Sequence, residues 1–143
     1  MMQKTLNGAS WIVLGLAAVM IVYFIFYMVY PFKPIEFRDA ILPVMKPVIK
    51  IGEVVPIMMR FTRYTDMSST VTRRLVDTNY VIMYPDIEIS RCAGEYDFVS
   101  SSTSIPIHIL PGEYYLEFGF IYKIHPLRTV VINKRTEKFR VVK

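Results

Sequence analysis

At 143 residues the chain has room for one domain and a short appendage, not for several domains. It is 53% hydrophobic, in large part through one uncharged run near its start, and its formal net charge is +5. A single cysteine, Cys92, excludes a disulfide within the chain, so any domain must rest on its core alone.

The first element is that uncharged run. No charged residue lies between Lys4 and Lys33. From Trp11 to Tyr30, at 1.5 Å per residue, it reaches about 30 Å, the thickness of a bilayer's hydrocarbon core. Trp11 at one end and Tyr27, Tyr30 and Phe32 at the other match the aromatic belts of two membrane interfaces. Pro31 and Pro34 end the helix. A secretory signal would have a shorter apolar core followed by a small-x-small cleavage site, and "YPFKPIEF" offers none. The expectation is a short tail at 1–10 and an uncleaved transmembrane helix at 11–32.

Residues 31–52 carry four prolines and no helical period, and 33–52 reads as a proline-rich extended stalk leading into a first strand. The remainder, 53–143, alternates apolar and polar residues at period two. "EVVPIMMRFTRY" sets Val55, Ile57, Met59 and Phe61 on one face. "TVTRRLV" reads as a short, edge-type strand. "NYVIMY" and "DIEISR" read as two strands, followed by a short "YDFV". "SIPIHIL" aligns Ile105, Ile107 and Ile109, with Pro106 marking an edge. "GEYYLEFGFIY" is the clearest strand, with Tyr114, Leu116, Phe118 and Phe120 on one face. "RTVVIN" and "EKFRVV" close the chain. Seven to nine short strands at this spacing imply an all-β sandwich or barrel behind one N-terminal transmembrane helix.

Within "LPGEYYLEF", a Pro-Gly turn stands two residues before a tyrosine: Gly112, then Tyr114. This resembles the corner of immunoglobulin-like domains, where a tyrosine hydroxyl bonds back across the turn. The resemblance implies an immunoglobulin-like β-sandwich, without the Cys…Trp…Cys core of antibody domains.

Signatures of catalysis are missing: there is no Gly-x-Ser-x-Gly, His-Glu-x-x-His, phosphate-binding glycine loop or Cys-x-x-Cys. Cys92, His108 and His125 are the residue types of a cupredoxin-like copper site. Their spacing does not supply the tight Cys-to-His loop such a site uses, so neither a metal nor another cofactor is expected. Arg60, Arg63, Arg73 and Arg74 form a basic cluster. If "RFTRY" pairs with "TVTRRL", all four share one surface suited to an anionic ligand, lipid headgroups or an acidic partner. The alternative is a solvated hairpin with Asp66 and Asp77 as counterions. Asp86, Glu88, Glu95 and Asp97 read as solubilising charges and not as a catalytic pair. Nucleic acid is not expected, because the aromatics alternate inward and do not interleave with basic residues. No small-molecule substrate is evident.

The function these features imply is that of a non-enzymatic, single-pass membrane protein. It would display its sandwich for protein contacts, as an accessory or assembly subunit of a membrane, envelope or virion-associated complex. The alternatives are a membrane-anchored redox domain and an anionic-ligand or lipid-surface module. The absence of disulfides and of an Asn-x-Ser/Thr sequon fits a bacterial or phage source. Lys33, Arg38, Lys46 and Lys50 after the span outnumber Lys4 before it, which argues for a cytoplasmic domain. The sandwich type argues for export as a periplasmic or extracellular domain, and export is the expectation.

Overall fold

The computed structural model describes residues 2–143, with side chains from Ser10 onward other than that of His125. The chain divides into two compact units, a helical one that ends at Phe32 and a β unit, Lys33–Lys143.

Helix α1 runs from Met2 to Val29. It therefore takes in the described part of the segment expected as a tail. No proline interrupts that segment, and the apolar run propagates the helix through it. Tyr30 still donates its N–H to Phe26 O at 2.8 Å. Pro31 then disfavours helical geometry at Tyr30 and removes the next donor, so Phe32 lies beyond the helix. Ser10–Val29 is long and apolar enough to cross a membrane, with a mean hydropathy of 2.7 and no part of it buried.

The β unit holds nine strands among the described residues: β1 Ile35–Phe37, β2 Val48–Lys50, β3 Ile57–Arg63, β4 Ser69–Val76, β5 Val81–Ile89, β6 Gly94–Ser100, β7 Gly112–His125, β8 Arg128–Arg135 and β9 Phe139–Val142. One sheet is three-stranded, in the order β1-β3-β6. The other is six-stranded, in the order β2-β9-β7-β4-β5, with β8 also paired to β7. All pairs are antiparallel except β2 with β9.

Period-two patterning decides which side chains enter the core. In β3, Ile57, Met59, Phe61 and Arg63 point inward and are buried. In β4 the inward set is Ser69, Val71, Arg73 and Leu75. In β7 it is Tyr114, Leu116, Phe118, Phe120 and Tyr122. Phe37 of β1 meets Phe120 of β7 at 5.0 Å between ring centroids, so the two sheets share one core. Burying a residue of this size stabilises the fold by about 1.5–3 kcal/mol.

β8 and β9 run in succession along one edge of β7. Between them, Thr136 shifts the register by one residue. Its N–H donates to Leu116 O at 2.8 Å. Leu116 N–H donates to Thr136 Oγ1 at 2.9 Å, so a side-chain oxygen replaces the missing ladder carbonyl.

Four expectations are corrected. The proline-rich 33–52 segment is not a free stalk. It carries β1 into one sheet and β2 into the other, and it buries Leu42 and Ile49 completely. "TVTRRLV" is no edge strand, because β4 lies between β5 and β7. "NYVIMY" and "DIEISR" merge into β5, which is an edge, so Pro85 sits inside it and the register with β4 shifts there. "SIPIHIL" is a loop: Ile105 and Ile109 are buried while Ile107 is 70% exposed, which no strand alternation allows.

Candidate functional site

The basic cluster is where the fold departs most from the sequence reading. β3 pairs with β1 and β6, and β4 pairs with β5 and β7, so "RFTRY" and "TVTRRL" belong to different sheets. The four arginines do not share one surface. Arg60 and Arg63 differ by an odd number of positions, and Arg73 and Arg74 are adjacent, so each pair splits across its sheet.

The two outward arginines are paired. Arg60 makes a bidentate contact to Asp39, with Nε at 2.9 Å and Nη2 at 2.7 Å. Arg74 meets Glu117 at 3.3 Å. Asp66 and Asp77 are not the counterions. Asp66 accepts from Ala93 N–H and Asp77 from Thr78 N–H, both at 2.6 Å.

The two inward arginines are only 3% (Arg63) and 7% (Arg73) exposed, and neither meets a carboxylate among the described residues. Arg63 donates from Nε to Thr65 O at 2.8 Å and from Nη2 to Met67 O, which fixes the β3–β4 loop. Its guanidinium stands 5.7 Å from the centre of the Tyr122 ring. Arg73 donates from Nη1 to Ser102 O at 2.7 Å and to Thr103 Oγ1 at 3.4 Å. Its Nη2 donates to Pro85 O at 3.0 Å. It thereby links β5 of one sheet to the segment following β6 of the other.

A cavity of about 140 Å³ lies between the sheets. Arg63, Arg73 and Arg91 line it together with Ser69, Ser100, Ser102 and Tyr122. Its remaining wall is apolar and includes Met59, Phe61, Val71, Phe98, Phe118 and Phe120. No carboxylate is among the residues that line it. Among the described residues two buried side-chain polar atoms lack a hydrogen-bond partner, Arg73 Nε and Tyr122 Oη. A buried polar atom left in this state costs about 1–3 kcal/mol. Arg91 and Ser102 are exposed and mark the mouth. The Arg91 guanidinium lies 4.6 Å from the Phe98 ring centre and 5.3 Å from that of Tyr96. Burial pushes the neighbouring Tyr84 phenol up to about 12, with Arg73 pulling the other way. Tyr84 therefore stays a neutral donor, and its Oη reaches Ser104 O at 2.8 Å.

The other expected residues lie apart from this site. Cys92 is exposed between β5 and β6, and His108 is exposed in the loop before β7. The His125 side chain lies outside the described residues. No group of three His, Cys, Asp or Glu among the described residues could hold a metal ion. Asp86 and Glu88 on β5, and Glu95 and Asp97 on β6, are exposed; Glu95 takes Arg38 at 3.1 Å. The Gly112–Tyr114 corner forms: Tyr114 Oη donates to Leu110 O at 2.7 Å and meets Tyr80 Oη at 2.6 Å. Of the anchor aromatics, Trp11, Tyr27 and Tyr30 lie in α1 or one residue past it.

The sequence held the signal for the cavity. Period two carried one step beyond Phe61 places Arg63 inside, and Val71 and Leu75 bracket Arg73. No family model matches the chain, and no curated protein matches it.

Proposed function

We propose that the chain is a non-enzymatic, single-pass membrane protein whose β domain makes protein contacts. Its role is that of an accessory or assembly subunit of a larger membrane, envelope or virion-associated complex. The observation that carries this reading is the pairing of an uncovered apolar helix with a β domain that has open strand edges. Ser10–Val29 is bare on every side. β5 and β6 each have one partner strand only, and they present exposed Val81, Met83 and Val99. Open edges of this kind accept an extended segment from another protein.

The domain reads as an immunoglobulin-like sandwich. In support, β1-β3-β6 follows the order A-B-E, and β9-β7-β4-β5 follows G-F-C-C′. Tyr114 stands at the start of the strand that corresponds to F, where such domains place their corner tyrosine. That analogy also favours an exported domain.

Three measurements test the reading. Full-length protein extracted from native membranes in mild detergent should bring a defined set of proteins at stoichiometric levels. Emergence alone and monodisperse refutes the subunit role. The mature chain should retain α1 by intact mass; a chain beginning after Val29 refutes the anchor. The sole cysteine, exposed Cys92, should react with a membrane-impermeant maleimide on intact cells if the domain is exported. Labelling only after lysis refutes export.

A further inference from the structure

Resting on the reading of the β domain as a protein-contact module, we propose that the free edge of β6 takes up an extended segment of a different protein as an added strand. That segment alternates large apolar residues, turned toward the core, with lysine or arginine turned outward.

The first observation is a gap in the sandwich. The three-stranded sheet, β1-β3-β6, faces a wider one that ends in β4 and then β5. Arg73 of β4 donates to Ser102 O, just past the end of β6, so β6 lies across from β4 and β5 extends beyond it. Residues 90–93 join β5 to β6 directly, with no strand between them to cover β5. Ile87 and Ile89 of β5 and Phe98 of β6 are therefore only half-buried, whereas Ile57 and Met59 of the neighbouring β3 are buried. These three residues are among those that line the cavity of about 140 Å³. A cavity of about 150 Å³ holds a benzene ring in a protein core, which is the size of one phenylalanine side chain. A strand laid beside β6 would cover β5 and send alternate side chains toward this space.

The second is the state of the two edges. β5 contains Pro85, which has no N–H to give, and its register with β4 shifts between Val71 and Arg73. Both features blunt an edge. β6 has no proline and pairs with β3 in unbroken register from Gly94 to Ser100. Among the described residues no strand pairs with its other side.

The third is charge. Glu95, Asp97 and Val99 form the exposed outward row of β6. Arg38 meets Glu95 at 3.1 Å, and Asp97 makes no salt bridge among the described residues. A second copy of β6 would bring the same carboxylates onto one face, where like charges on paired strands repel. Lysine or arginine opposite Glu95 and Asp97 gains a cross-strand pair at each position.

The test compares the full chain extracted from native membranes with its partners bound and the full chain expressed alone, both in mild detergent. Amide hydrogen exchange in Gly94–Ser100 should slow by about tenfold or more on partner binding, and that in Val81–Ile89 should change by less than about twofold. A benzophenone amino acid at Val99 should crosslink to a partner segment with the stated alternation, and one at Val81 should not. Glu95→Lys combined with Asp97→Lys should lower partner recovery by about three- to tenfold, while Glu88→Lys on β5 leaves it unchanged. Circular dichroism confirms that each variant is folded, and exchange and crosslinking decide the matter without the charge variants. A bound partner that leaves β6 exchanging as in the lone chain overturns this proposal and leaves the subunit role standing. A crosslink from Val99 to a second copy overturns it too, as does full recovery in the folded charge-reversed variant. The absence of any stoichiometric partner overturns the subunit role and this proposal with it.

Discussion

Tyr114→Phe removes one oxygen from a residue that is 1% exposed and keeps its ring in place. That oxygen donates to Leu110 O at 2.7 Å, so Tyr80 supplies the proton in the 2.6 Å contact between the two phenols. Each hydrogen bond contributes about 1 kcal/mol net. Leu110 is 69% exposed, so its carbonyl regains water when the partner is lost. Tyr80 is half-buried and recovers less. The expected loss is about 1–2 kcal/mol, or roughly 4–8 °C in Tm for a domain of this size. Urea unfolding of the full chain in detergent, followed by circular dichroism at β-sheet wavelengths, measures it. Tyr115→Phe is the control. Its side chain points to the opposite face of β7, and it should stay within about 0.5 kcal/mol of the parent. Combining Tyr114→Phe with Tyr80→Phe should reveal a coupling of about 0.5–1 kcal/mol. If Tyr114→Phe matches Tyr115→Phe, the hydroxyl does not fix the corner and the reasoning fails.

Leu116 is fully buried in the middle of β7, with its backbone tied to Thr136 on one side and its strand paired to β4 on the other. Leu116→Ala should cost about 2–5 kcal/mol by the same unfolding assay, and a loss below 1 kcal/mol would mean that the core is not where the strands place it. Alkali should weaken the domain. The Tyr84 phenol is raised to about 12 by burial, and that of Tyr114 is raised by burial and by its bond to Tyr80. In the unfolded chain both ionise near pH 10. Their contribution is therefore intact below about pH 10 and is lost as pH rises toward 12, because the unfolded state releases its protons first. Tyr84→Phe should flatten that decline in urea midpoints measured from pH 8 to 12; an unchanged slope would remove Tyr84 from the account.

The strands were legible where one face is apolar and the other polar over many residues. β7 qualifies, since Tyr114, Leu116, Phe118 and Phe120 alternate with Glu113, Tyr115, Glu117 and Gly119. Pairing partners were not legible, because period two fixes a strand's faces but not its neighbours. From its sequence β4 reads as a short, edge-type strand. It sits centrally because its outer face stays open to solvent, where Thr72 and Arg74 belong. Gly119 beside it on β7 leaves space for the Thr72 hydroxyl; a Cβ there would come within 2.5 Å of Thr72 Oγ1. "SIPIHIL" alternates as a strand does, yet Pro106 supplies no N–H and the chain folds over to bury Ile105 and Ile109. The arginine cluster misled because a charged residue is usually placed outside by default. Alternation alone, applied without that default, puts Arg63 and Arg73 inside.

The outward and inward arginines differ in how their charge is met. The chain has 12 acidic residues, and two of them, Asp39 and Glu117, neutralise the outward arginines. Among the described residues none accompanies the inward pair. Packing does not require charge there, since a methionine would fill comparable space without desolvating a cation. What the charge does provide is a clasp. Arg73 reaches Pro85 O in β5 and Ser102 O beyond β6, bridging the sheets at their open sides. The Nε of the same guanidinium is buried without a partner. The clasp ties the segment after β6 to β5 through one buried side chain, so losing that side chain frees both at once.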